Sequence, residues 1–272
     1  MIKIIAIGDV VGKAGRQALA KSLPLIRERI DPDIVIVNGE NAAGGFGITK
    51  KIYKQFIENF SIDCVTTGNH WHDKREIFEF LPQAERLVVP ANMSNVESIE
   101  MGYKILEDRN GNPFAVINLI GNAFMQPGNR NLFKTIDLIM DRIPQNVKVR
   151  IVDVHAEATS EKQGVGRYLA GNVSLVFGTH SHVQTADERI LEDATGYITD
   201  IGMTGPYESV IGIKTEAAIA RMKDNERKRF EPASKDLWTP FIEVSVDPKS
   251  GLCHSIKRYR WELSKLINDD QK

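Results

Sequence analysis

Short apolar runs in this chain end on residues of the types that can bind metals. Gly68-Asn69-His70 follows Cys64-Val65-Thr66, Asp153-Val154-His155 closes the run from Val149, and Gly178-Thr179-His180-Ser181-His182 follows the run from Val173 to Phe177. Two further runs lead into acids: Ile4-Ile5-Ala6-Ile7-Gly8-Asp9, and Ile34-Val35-Ile36-Val37-Asn38-Gly39-Glu40-Asn41. Parallel strands of an open α/β sheet deliver their carboxyl ends to one rim, where ligands bind. Asp9, Glu40, Asn41, Asn69, His70, His155, His180 and His182 can therefore meet in space. Carboxylate, amide and imidazole donors together suit manganese, iron or zinc better than magnesium. The absence of cysteine from the set argues against a structural zinc site. Two such cations about 3.5–4 Å apart can supply a shared hydroxide as nucleophile and stabilise charge on a phosphoryl group. An unligated imidazole beside them can protonate the leaving oxygen, because imidazoles titrate near neutrality.

Each piece alone is weaker. Acids at strand ends commonly serve as turn residues, and a lone histidine there is more often structural than a ligand. The combination carries the reading: His70, His72, His155, His180 and His182 fall at or just past expected strand ends, whereas His254 lies elsewhere. Around them, Asp73 can orient His70, and Asp153 or Asp187 can hold an imidazole in its tautomer. Capping or surface pairing is the equal alternative for each acid. His72 reads as an exposed neighbour, and Trp71 as a packing residue that can also wall the site or stack a base. Gly44-Gly45-Phe46-Gly47 can bring backbone amides to a phosphate, without the lysine of a nucleotide P-loop. Lys13, Arg16 and Arg130 are phosphate contacts or plain surface charge. The loop from Gly121 to Asn131, with Phe124, Met125 and Pro127, is an apolar wall over the site or a surface insertion packed on itself.

The elements that must position these residues alternate. Leu19, Leu23, Ile26 and Ile30 mark one helix face, which Pro24 should kink or divide. A helix near Thr49–Phe60 is capped by Thr49, and another spans Lys74–Leu81. Strands are expected at Cys64–Thr67, Leu87–Val89, Phe114–Leu119, Val149–Val154 and Val173–Phe177, with a helix carrying Leu132, Ile136, Ile139 and Ile143 among them. Such alternation implies βαβ units. Phe241–Val246 partly alternates and predicts an antiparallel strand, placed on a second sheet. Ala217–Lys228 reads as a solvated helix or loop. No linker or repeat divides the chain, which predicts one domain over 1–272.

The chain has 272 residues, a formal net charge of -1 and two cysteines. That length buries a full core without disulfides, and Cys64 and Cys253 read as buried thiols of a reducing compartment. The charge balance disfavours a dedicated duplex-binding protein, since phosphate contacts come with clustered Lys and Arg. The opening apolar run is too short for a signal peptide, and no segment reaches the roughly 18 apolar residues of a membrane span. Both point to a cytoplasmic protein without membrane contact.

These blocks together resemble a calcineurin-type metallophosphoesterase, specifically the bacterial YmdB-like branch. The likeness is carried by Gly8-Asp9, Asn38 to Gly47, Gly68-Asn69-His70, Asp153 to Lys162, Gly178 to Asp187 and Thr199 to Pro206. It implies an α/β chain folded as a four-layer α/β/β/α sandwich with a dinuclear centre at one edge. Asp9, Glu40, Asn41 and His182 would bind one metal, and Glu40, Asn69, His155 and His180 the other, so that Glu40 bridges. His70 would be the general acid. The resemblance implies two divalent or trivalent ions, iron or manganese, with zinc as an alternative. Relative to the wider superfamily, Asp9 is followed by Val10-Val11 rather than by a histidine at the second position, and Glu40 replaces the usual bridging Asp; YmdB-like proteins resemble this chain in both. The implied reaction is hydrolysis of small cyclic nucleotides, 2′,3′ or 3′,5′, to nucleoside monophosphates. The alternatives are a phosphomonoesterase or protein phosphatase on the same scaffold, and a metal- and nucleotide-binding regulatory module. The implied partners are a small nucleotide diester and, in a homo-oligomer, further copies of the chain.

Overall fold

A computed structural model of the chain describes residues 1–125, 130–224 and 231–269. Its two sheets stack face to face. The first runs in the order β2 (Asp9–Val10), β11 (Met203–Pro206), β12 (Leu237–Val246), β1 (Ile2–Ile7), β3 (Ile34–Asn38) and β4 (Cys64–Thr66), with β13 (Cys253–Glu262) on the other edge of β12. The second runs β5 (Tyr103–Glu107), β6 (Pro113–Ile120), β7 (Val149–His155), β8 (Leu175–Thr179), β10 (Thr195–Ile198) and β9 (Arg189–Leu191). β1, β3 and β4 are mutually parallel, as are β6, β7, β8 and β10.

The period of two along a strand explains the layering. Ile4 and Ala6 of β1, Ile34 and Ile36 of β3, and Cys64 of β4 turn one way, and meet Phe114, Val116, Val149, Ile151, Leu175 and Phe177 of the second sheet. Their neighbours Ile5, Ile7, Val35, Val37 and Val65 turn the other way, onto the helix side of the first sheet. There they meet α1 (Gly12–Ile30), α2 (Lys50–Lys54) and α3 (Ile77–Phe80). The outer face of the second sheet is covered by α4 (Leu132–Met140) and α5 (Thr159–Leu169). Strands buried on both faces read as continuous apolar runs. The result is the four-layer α/β/β/α sandwich, with three apolar layers between its four structural ones. α6 (Thr215–Asp224) and α7 (Leu263–Asp269) follow later in the chain.

Several expectations need correction. Helix α1 runs undivided through Pro24. The segment Leu87–Val89 joins β4 through a single parallel bridge at Leu87, because Pro90 next in sequence has no N–H to extend a ladder. Phe241–Val246 is antiparallel as expected, but it lies in the first sheet between β1 and β13. The Lys74–Leu81 helix shrinks to the four residues of α3. Thr49 does cap α2, accepting from Ile52 N–H at 3.3 Å, and a π-helical turn at Gln55–Asn59 continues that helix. The chain past Ala217 is helical to Asp224, and 225–228 lie outside the described residues. Among the described residues, no helix is long and apolar enough to cross a membrane.

Candidate metal centre

The parallel strands do bring their carboxyl ends to one rim. Asp9 lies two residues past β1, Glu40 and Asn41 follow β3, Gly68-Asn69-His70 follows β4, His155 closes β7, and His180 and His182 follow β8. Nε2 of His155 is the focus. It lies 3.0 Å from Asn69 Oδ1, 3.0 Å from His180 Nδ1 and 3.1 Å from Glu40 Oε1. Among the described residues, Glu40, His155 and His180 form the one trio of His, Cys, Asp or Glu whose ligand atoms lie within 4.8 Å of one another. Close approach depends on Gly68: a Cβ there would sit 2.2 Å from Glu40 Oε2 and 2.3 Å from His155 Nε2.

A second group adjoins the first. His182 Nε2 lies 3.3 Å from Asn41 Oδ1. Asp9, fully buried, accepts the His180 backbone N–H on Oδ2 at 3.1 Å, while its Oδ1 is buried without a hydrogen-bond partner.

The loop carrying the two later histidines is held in an unusual backbone. His180 has φ +96° and His182 φ +64°, conformations that cost non-glycine residues free energy and persist only under external restraint. The restraints are visible. Asp200 Oδ2 accepts the Ser181 N–H between them at 3.1 Å, and His182 Nδ1 donates to the Ile211 carbonyl at 2.9 Å. Asp200 is itself neutralised by Lys162 Nζ at 2.6 Å, and both side chains are almost completely buried.

Charge in the cluster is unevenly shared. Burial pushes the Asp9 carboxyl up to about 6 and that of Asp153 to about 7. Burial also opposes charge on His155 and on Glu40, but their mutual attraction outweighs it, raising His155 to about 9 and lowering Glu40 to about 2. His180, desolvated and beside His155, is held down to about 3.

A single imidazole N–H cannot serve three acceptors at once. Nε2 of His155 nevertheless faces a carboxylate oxygen, an amide oxygen and a second imidazole nitrogen, all at 3.0–3.1 Å. Donor atoms converging at that spacing, beside an unpartnered buried carboxylate oxygen, fit a bound metal ion. The cleft above them has a volume of about 300 Å³, and neither lysine nor arginine is among its described lining residues. Phosphate charge in that cleft therefore calls for counter-charge from a metal.

His70 lines the same cleft, with Nδ1 2.8 Å from Asp73 Oδ2 and its ring edge-on to Phe46 at 4.9 Å. Other candidates fall elsewhere. Trp71 is 1 % exposed and packs in the core; His72 is half-buried rather than exposed, with a buried Nδ1. Asp187 accepts from Thr185 and Thr199 and touches no imidazole. Asp153 reaches His155 only through Thr179. Arg16 donates to the Ala42 carbonyl, and Arg130 to that of Val96. In the glycine loop, the N–H groups of Ala43 and Gly45 are taken by Gly47 and Asn41 carbonyls. The apolar wall is built by Phe46, Ile211, Ile213 and Pro232 rather than by Phe124 and Met125, and Pro127 lies outside the described residues. Sequence reasoning passed over Thr179, Asp200, Lys162 and Glu157, whose Oε2 lies 3.2 Å from His180 Nε2. All four stand inside the blocks that carry the family resemblance, which was the available signal.

Two stacked sheets between helical layers, with acids, amides and imidazoles gathered at one rim, make a four-layer α/β/β/α sandwich with a candidate metal site at its edge. YfkN from Bacillus subtilis, a calcineurin-like phosphoesterase, shares the fold at a TM-score of 0.51 and 12% identity, over 97% of this chain and 91% of that one. The YmdB-like protein family matches residues 5–259, and this chain belongs to it. It is 40% identical over 269 residues to a 2′,3′-cyclic-nucleotide 2′-phosphodiesterase of Bacillus subtilis (strain 168), covering 99% of this chain and 98% of that protein. A hypothetical protein of Thermus thermophilus, of solved structure, is 35% identical, with a TM-score of 0.87 over 96% of this chain and 99% of that one. A phosphatase of Mycoplasma pneumoniae, also solved, is 32% identical with a TM-score of 0.87 over 96% and 93%.

Proposed function

We propose that this chain, a phosphoric-ester hydrolase, is a metal-dependent phosphodiesterase that opens 2′,3′-cyclic nucleotides. The observation that carries this reading is the convergence of Glu40, Asn69 and His180 on His155 Nε2 at 3.0–3.1 Å, at the floor of a cleft. The substrate is suggested by the Bacillus subtilis relative.

Glu40, Asn69, His155 and His180 would hold one metal ion, and Asp9, Asn41 and His182, with Glu40 shared, the second. The donor set suits iron or manganese. Bound there, such ions supply positive charge at the phosphoryl oxygens and lower the pKa of a water toward neutrality. The remaining work falls to the chain itself. Asp73 accepts from His70 Nδ1 and turns the ring so that Nε2 serves proton transfer. As water oxygen bonds to phosphorus and releases one proton to solvent, the bond from phosphorus to O2′ breaks; O2′ takes the His70 proton, and His70 is reprotonated from solvent. The product is a nucleoside 3′-monophosphate. Phe46, Ile211, Ile213 and Pro232 give the cleft one apolar side, suited to the face of a base.

The test is turnover of 2′,3′- and 3′,5′-cyclic nucleotides, with added manganese or iron, by the wild type and the Glu40→Gln variant. Product formation by the wild type and its loss in the variant support the reading. Equal rates in both would overturn it.

A further inference from the structure

We infer that Thr179 is a positioning residue that decides which nitrogen of His155 faces the metal cluster. The inference rests on the metal-binding reading above and adds a residue to it. Thr179 is the last residue of β8, and its Oγ1 stands between two partners, 2.7 Å from Asp153 Oδ1 and 2.9 Å from His155 Nδ1. A hydroxyl has one proton to give and can accept others. Asp153 is surrounded by donors: Thr66 Oγ1 at 2.5 Å and Asn38 Nδ2 at 3.1 Å reach its other oxygen. With Thr66 and Asn38 donating to that other oxygen, the Asp153 carboxyl is an acceptor on both sides, and the Thr179 proton goes to its Oδ1. Asn38 Nδ2 also points at Thr179 Oγ1, at 3.4 Å, which leaves that oxygen as an acceptor on its remaining sides.

His155 Nδ1 must then carry a proton and donate it to Thr179. Nε2 is left as the nitrogen whose lone pair can face Glu40, Asn69 and His180. The opposite polarity would place the proton on Nε2 and close the imidazole to a cation. A threonine thus stands where metal-binding histidines usually meet a carboxylate directly, with Asp153 one step further out. Thr179, Asp153 and His155 are fully buried, so water cannot substitute for the hydroxyl.

The test compares Thr179→Val, which keeps the shape and loses the hydroxyl, with Thr179→Ser, which keeps the hydroxyl. Manganese affinity of the purified full chain is read by calorimetric titration, alongside a circular-dichroism melt. The valine variant should bind manganese about 10- to 100-fold more weakly, the range found for lost outer partners of metal ligands, and the serine variant should bind nearly as the wild type does. Wild-type affinity in a folded valine variant would overturn the inference while leaving the metal centre in place. If the valine variant does not fold, nitrogen NMR of the zinc-loaded wild type decides: a proton on Nδ1 of His155 supports the role, and a proton on Nε2 refutes it. A wild type that binds no metal would remove the metal centre and this role together.

Discussion

His70 and Asp73 form a pair three residues apart, with Nδ1 2.8 Å from Oδ2 at the edge of the cleft that holds the cluster. That spacing presents one ring nitrogen to the carboxylate and leaves the other for proton transfer. His70→Ala should lower kcat on a 2′,3′-cyclic nucleotide by about 10²–10⁴, the usual contribution of a general acid. Asp73→Asn should lower it less. With a nitrophenyl diester, whose leaving group needs no proton, the His70→Ala loss should shrink markedly. Equal losses on both substrates would remove His70 from the acid role.

Gly68 stands where any side chain would enter the cluster. Gly68→Ala places a carbon 2.2 Å from Glu40 Oε2 and 2.3 Å from His155 Nε2, so one of them must move. Elemental analysis of the purified variant should show metal content well below wild type. Full metal occupancy would mean that the ligands do not converge on that point.

The stability of the metal-free protein should follow the shifts of its buried acids and imidazoles. Asp9 and Asp153 are raised to about 6 and about 7, so the folded chain holds protons that the unfolded chain has released above the ordinary value of 3.8. His155, raised from 6.5 to about 9, contributes stability present below its unfolded value and lost as pH climbs through about 9. His180, held down to about 3, works in the opposite sense below 6.5, so the clear fall in stability lies between pH 6.5 and pH 9. Glu40, lowered to about 2, adds stability that is already complete above 4.5 and does not oppose this trend. A cation competes with those same protons, so the rise in Tm on adding manganese should be larger at pH 8 than at pH 6. A Tm gain independent of pH would contradict the assignment of Asp9 and His155 as ligands.

The buried Lys162–Asp200 pair should be costly to break. Lys162→Met leaves the Asp200 carboxylate buried without its counter-charge, at a cost of about 3–5 kcal/mol. Chemical denaturation should show that loss. A variant as stable as the wild type would mean that Asp200 is neutralised by other means.

Much of this centre was legible in the linear chain, and for a definite reason. Parallel strands buried on both faces must be apolar throughout, so each announces its own end, and the residue that follows is carried to the rim. Asp9, Glu40, Asn69, His155 and His180 stood out on that basis. The outer partners did not. Thr179, Lys162 and Asp200 are ordinary residues in sequence, and their roles arise from pairing across separate elements. Of the two readings of the 121–131 loop, the apolar wall is not the one its described residues support, for the same reason. Loop composition shows that a segment is apolar, not which face it covers, and the wall came from Phe46, Ile211 and Pro232 instead.

The amino-acid order alone determined which strands are buried, which residues end them, and hence the membership of the rim. Tertiary structure decided how those residues pair: which oxygen of Asp9 is left without a partner, that Asp153 works through a threonine, and that two histidines occupy left-handed backbone under the hold of a buried aspartate. Side-chain periodicity is a local property written along the chain. Hydrogen-bond polarity and close approach depend instead on segments far apart in sequence, such as Asn38 and Asp153, which are separated by 115 positions. Those distances exist only once the two sheets have closed on one another.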